Sequence, residues 1–297
     1  MQIYFFKKTI TICNQIVKLN KVLSIPYYSR VMEIYQNWIV ENVMKLVSVD
    51  PAEYIDETFQ LNDSNKALTW VMWWQGEENA PKIVKSNVKR MKSVFGEANV
   101  VVIDQNNYSQ FTDINPAIID KFKRGKITFA ALSDVIRFNL LSRHGGLWLD
   151  ATLCVSDEFK NIKIGDFFSL SFNKDLPDYI SRGDWSGWLV GGNHNIFKYM
   201  NDCLHDYWLR YDTIVNYFLP DEFVRAYVNA HPTFKRKLKD RSLDWEPFAF
   251  SDNYKKIEHT DLLHRWNSEL EFSVQKVSYR LHDNGDHNLL NSICSEK

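Results

Sequence analysis

Three side chains in one short stretch have the types and spacings that chemistry needs: Asp134, Arg137 and Asp150. Asp134 and Arg137 stand three apart in a segment around 129–142 that reads as a helix, so they share a helical face. A guanidinium fork suits phosphate or carboxylate groups. Gly145 and Gly146 then turn the chain into Leu147–Val155, which reads as a single strand. Alternation along that strand would place Trp148, Asp150, Thr152 and Cys154 on one face. A carboxylate among apolar neighbours is costly unless paired, hydrogen-bonded or turned toward a ligand. In open α/β sheets ligands bind at the carboxyl ends of the strands, where a carboxylate beside a polar helix face can hold a metal-diphosphate. The plainer alternatives are a surface ion pair for Asp134 and Arg137, and a loop-capping turn at Asp150.

The elements needed to position these groups are legible upstream. Ala67–Trp74 is a nearly continuous apolar run of strand length, typical of strands buried on both faces. A helix is expected from about Pro81, with Ile83, Val84, Val88 and Met91 inward. Val100–Ile103 reads as a second buried strand, ending in Asp104. Strand, helix, strand, helix, strand predicts an α/β sheet. Downstream, Trp185–Gly192 is a glycine-rich aromatic loop with a short strand, followed by helices expected over 195–210 and near 217–230.

Residues 1–62 are expected to form a helical N-terminal extension, with the polar break Asn62–Asn65 as the boundary to a main domain over 63–297. Val31, Ile34, Tyr35, Trp38 and Ile39 line one helical face there. Residues 1–49 carry six Lys or Arg against Glu33 and Glu41, a balance of +4. Such a face packs on the main domain or, over residues 1–45, lies on an anionic membrane surface.

Composition narrows the classes. Apolar residues make up 45% of the chain and aromatics 14%, so it folds. A formal net charge of −1 argues against a general nucleic-acid binder. Cys13, Cys154, Cys203 and Cys294 are scattered, without a zinc pattern, as suits a reducing compartment. No window is long and apolar enough to span a membrane, and the N-terminus lacks the form of a signal peptide, so a cytoplasmic location is expected. There is no phosphate-loop Gly-x-x-x-x-Gly-Lys, no Gly-x-Ser-x-Gly elbow and no His-Glu-x-x-His.

The pattern Ser133-Asp134-x-x-Arg137, Leu141, Gly145-Gly146, Trp148-Leu-Asp150-Ala-Thr152 resembles the capsular polysaccharide synthesis proteins. These are similar to the sugar transferases with a DXD motif in glycosyltransferase family 32. Trp70–Gly76 and Pro81 upstream, and Trp185-Ser-Gly-Trp188, Gly191, Tyr207-Trp208 and Tyr217–Asp221 downstream, extend the resemblance over roughly 66–282.

The resemblance implies a GT-A fold, a Rossmann-like mixed sheet, in a bacterial hexosyltransferase. Such an enzyme would move a sugar from a nucleotide-sugar, most simply a UDP-sugar, to a growing capsular or lipid-linked surface glycan with retention. It implies that Trp74, Asp134, Arg137, Gly145, Gly146 and Asp150 serve the donor, and that Asp184, Trp185 and Trp188 serve the acceptor. Asp150 and Asp221 would be the catalytic acids. Asp150, Thr152, His282 and His287 are the candidates to hold a divalent manganese or magnesium ion, with Asp283 and Asp286 beside the histidines. Thr152 replaces the second acid of DXD, and a neutral hydroxyl is the weaker ligand for a hard cation. The alternative is a transferase-like scaffold without activity.

Overall fold

The computed structural model describes residues 6–7, 10–11, 15, 17–20, 23, 25–58, 68–172, 175–239, 244–253 and 260–278. A five-stranded mixed sheet is its centre, and the fold is α/β. The strands are β1 (Thr69–Met72), β2 (Val100–Ile103), β3 (Leu147–Leu149), β5 (Phe167–Ser169) and β6 (Leu189–Gly192), in the order β2-β1-β3-β6-β5. β1 runs parallel to β2 and β3, whereas β6 is antiparallel to β3 and β5. A separate antiparallel pair joins β4 (Leu153–Val155) to β7 (Val274–Lys276).

Alternation along the strands builds a core on each side of the sheet. Trp70, Trp148 and Val190 face one way, toward α3 (Phe129–His144) and α4 (Ile196–Arg210). Val71, Leu147, Leu149 and Leu189 face the other way, toward α2 (Lys82–Phe95), whose Val84, Val88 and Met91 are fully covered. The helix thus starts just after Pro81, as expected, and Ile83 stays partly exposed. The short β1 and β2 match the two apolar runs. Asp104 ends its strand as a turn cap, accepting from the backbone N–H groups of Asn106 and Asn107.

Two expectations are corrected. Leu147–Val155 is not one strand: β3 ends at Leu149, and a turn over 150–152 carries the chain into the second sheet. Every residue of that turn is pinned. Asp150 N–H donates to the Trp188 carbonyl (3.0 Å), and Leu153 N–H donates back to the Asp150 carbonyl (2.9 Å). The buried Asn87 amide donates to the Ala151 carbonyl (3.0 Å), and Val277 N–H donates to the Thr152 carbonyl (2.9 Å). With no strand through 150–152, alternation cannot be what relates Asp150 to Thr152.

The second correction concerns α1 (Tyr28–Met44). Its covered stripe is Tyr28, Met32, Gln36, Ile39, Val40 and Val43, whereas Val31 and Ile34 remain exposed. The stripe packs on α5 (Leu219–Ala230), and Ile39, Val43, Leu46 and Val47 enter the main core. Asp56 meets the buried His194 ring at 3.0 Å, and Thr58 bridges to His194. The polar break Asn62–Asn65 lies outside the described residues. No helix among the described residues is long and apolar enough to cross a membrane.

Candidate functional site

A cleft of about 1190 Å³ opens at the carboxyl ends of β1 and β3. Trp73, Trp74 and Gln75 enter it from the end of β1, and Asp150 from the end of β3. The first three turns of α3 supply Phe129, Asp134 and Arg137. The loop before β6 supplies Trp185, Gly187 and Trp188, and the start of α5 supplies Pro220 and Asp221.

At its floor stands a connected set of charges. Arg137, 8% exposed, donates from Nη1 to Asp134 Oδ1 (2.9 Å) and from Nη2 to Asp150 Oδ1 (3.1 Å). The Trp148 indole N–H donates to that same Asp150 oxygen (2.9 Å), and Arg137 lies 4.9 Å over the Trp148 ring. Guanidinium-aromatic attraction and the two ion pairs together offset the desolvation of these groups. Asp134 and Arg137 are therefore not the surface ion pair that spacing alone allows. Gly187 lets the loop pass close by, since a Cβ there would stand 3.3 Å from Arg137 Nη1.

The other oxygen of Asp150, Oδ2, accepts from Lys276 Nζ at 2.6 Å. Lys276 ends β7 and also lies 5.5 Å over the Trp188 ring. Sequence reasoning missed this lysine, because Val-Gln-Lys in a short edge strand has no signature. Phe172 and Phe248, stacked at 6.2 Å on the cleft wall, were missed for the same reason.

The three cleft carboxylates are in different electrostatic states. Burial would raise the pKa of Asp150, but Lys276 and Arg137 outweigh it and hold the group below the usual carboxylate range. Burial pushes Asp134 up to about 7, with Arg137 opposing and the charges of Asp150 and Asp221 adding to the rise. Asp221 is raised to about 6 by burial, against the Trp185 hydrogen bond and the nearby Arg137 and Arg225. Trp185 donates its indole N–H to Asp221 Oδ1 at 2.7 Å, with Arg225 4.9 Å over its ring. Divergent pKa values among clustered acids in a cleft are the electrostatic pattern of a candidate functional site.

The cleft gathers Trp74, Asp134, Arg137, Asp150, Thr152, Trp185, Trp188 and Asp221. Thr152 gets there through the turn. Gly145, Gly146 and Asp184 are not among the lining residues. The glycines stand at the opposite end of β3, where the Trp70 indole N–H donates to the Gly145 carbonyl (2.9 Å). Asp184 is half-buried, and its charge acts on Arg225. His282, Asp283, Asp286 and His287 lie outside the described residues.

Among the described residues, the donors around Asp150 do not fit a divalent cation. Hard cations take six or more oxygen ligands, and both Asp150 oxygens already face cations. Among the described residues, no three of His, Cys, Asp and Glu are grouped to hold an ion.

No curated protein and no solved structure matches the chain. The profile of one family, described as capsular polysaccharide synthesis protein, matches residues 18–296. Its span takes in the sheet, the turn that mounts Asp150 and the strand that brings Lys276 to it, and the chain belongs to the capsular polysaccharide synthesis protein family.

Proposed function

We propose that the cleft binds a nucleotide-sugar, most simply a UDP-sugar, and that the protein is a GT-A-type glycosyltransferase building a capsular or other surface glycan. The observation that carries this reading is the joined Asp134–Arg137–Asp150 set lining an aromatic cleft at the carboxyl edge of the parallel strands, with Lys276 paired to Asp150 from β7 behind that lining. Trp74 and Phe129 offer flat apolar faces to a nucleoside, and both pack on Phe122. Trp185, Trp188 and Asp221 suit a sugar acceptor: rings to stack on and a carboxylate to orient a hydroxyl.

In the transfer, the acceptor hydroxyl oxygen bonds to the anomeric carbon of the donor. The bond from that carbon to the diphosphate oxygen breaks, and its electron pair leaves with the nucleoside diphosphate. The departing diphosphate takes the hydroxyl proton, in keeping with the retention that the resemblance implies. Asp150, held ionised, fixes Arg137 and Lys276 where negative charge grows on the leaving group. Asp221 holds the acceptor.

The test is a screen of UDP-, GDP-, CDP- and TDP-sugars for hydrolysis and for transfer to lipid-linked glycans. Release of one nucleoside diphosphate, lost in Asp150→Asn, supports the reading. Nucleotide binding without turnover on any pair supports the scaffold instead, and no binding at all rejects both.

We further propose that residues 1–45 rest on an anionic membrane. Leu19, Leu23, Tyr27, Val31 and Ile34 are all exposed in a region with excess positive charge. Because α1 enters the core, the informative variant is Leu19→Ser with Leu23→Ser and Ile34→Ser. It should sediment several-fold less with phosphatidylglycerol vesicles at low salt, and unchanged sedimentation rejects the contact.

A further inference from the structure

We propose that Lys276 and Arg137 grip the diphosphate of the donor, so that this site neutralises its leaving group with two side-chain cations in place of a divalent metal. The inference rests on the transferase reading and names the groups that replace the expected ion.

The arrangement of the site supports it. Both cations are already collected on one carboxylate, Lys276 on Oδ2 and Arg137 on Oδ1 of Asp150. A cation placed within coordination distance of Oδ2 would stand beside an ammonium 2.6 Å from that atom, and like charges so close repel strongly. Thr152, where a second acid would share the ion, is neutral and belongs to the turn. Arg137 uses one Nη1 proton on Asp134 and one Nη2 proton on Asp150, and each nitrogen carries a second, so the guanidinium has donor capacity left. Lys276 uses one of its three protons on Asp150 and is half-buried, which leaves it able to donate to a phosphate oxygen as well. Trp188 beneath its ammonium restricts where that charge sits.

The experiment is calorimetric titration of UDP, with GDP, CDP and TDP in parallel, into the full chain in EDTA and then in manganese. Wild type should bind its nucleotide within about threefold equally in both. Lys276→Met should weaken binding by about 10- to 100-fold in either condition, as for loss of a charge-assisted hydrogen bond. Lys276→Arg should recover part of it. Lys276 also neutralises Asp150, so Lys276→Met with Asp150→Asn removes the unpaired acid while keeping the lysine absent, and it should remain weak. Binding only in manganese overturns the inference and leaves the transferase reading standing. So does wild-type affinity in Lys276→Met, or its return in the double variant. Absence of nucleotide binding in every condition ends the transferase reading, and this inference with it.

Discussion

The two ends of β3, at Gly146 and Asp150, are four residues apart and obey opposite rules. At its start, Gly146 has φ of +91°, and a Cβ there would lie 2.2 Å from the Leu68 carbonyl oxygen. Leu147 N–H donates to that same carbonyl at 2.8 Å, which ties β3 to β1. Nothing at this end faces the cleft. At its finish, Asp150 is held by two cations and an indole, with its backbone N–H and carbonyl both hydrogen-bonded. One end is constrained by backbone space and the other by charge. A motif running through both therefore mixes a demand of folding with a demand of binding, and nearness in sequence does not make Gly145 and Gly146 ligands.

Substitutions should separate the ends cleanly. The largest expected effect is at the glycine end: Gly146→Ala combines a strained φ with a backbone clash and should cost about 4 kcal/mol or more. Urea unfolding monitored by circular dichroism measures this, and a loss under about 1 kcal/mol would erase the contrast. Next comes Asp150→Asn, which should lower transfer by about 100-fold or more. Its stability loss should stay below the roughly 3–5 kcal/mol of a fully buried broken pair. Lys276 keeps 23% exposure there and can be resolvated. Comparable loss of fold and rate in this variant would make Asp150 a structural acid.

A smaller effect is expected one step from the strand. Transfer that needs ionised Asp221 should rise with pH through about 6, because the folded group protonates below that value. The Trp185 hydrogen bond holds that pKa down, so Trp185→Phe should move the rising limb to higher pH. The acceptor KM should increase about tenfold, as for loss of one hydrogen bond to a charged group. An unmoved pH profile would take Asp221 out of the chemistry.

Much of this arrangement is legible in the residues. The apolar runs at Thr69–Met72 and Val100–Ile103, the helix after Pro81 and the helix bearing Asp134 and Arg137 are all legible from local residue patterns. The break after Leu149 does not, because Leu-Trp-Leu-Asp-Ala-Thr-Leu-Cys-Val alternates well enough to pass for one strand. Its visible signal is Asp150 itself, since Asp favours the first position of a turn. The covered N-terminal stripe is hidden for a related reason: Val31 and Ile34 satisfy the helical period, but the core reaches the neighbouring face through Met32 and Gln36. Lys276 could not be read locally, because only the pairing of β4 with β7 brings it to Asp150.

That pairing sets an order of events during synthesis. Lys276 follows Asp150 by 126 residues. At translation rates of about 5–20 residues per second, a nascent chain holds Asp150 without its lysine for roughly 6–25 s. Arg137, made earlier, is the cation available to the acid in that interval. The five-stranded sheet can close as soon as β6 emerges, but the ion-pair set around Asp150 is complete only when β7 arrives.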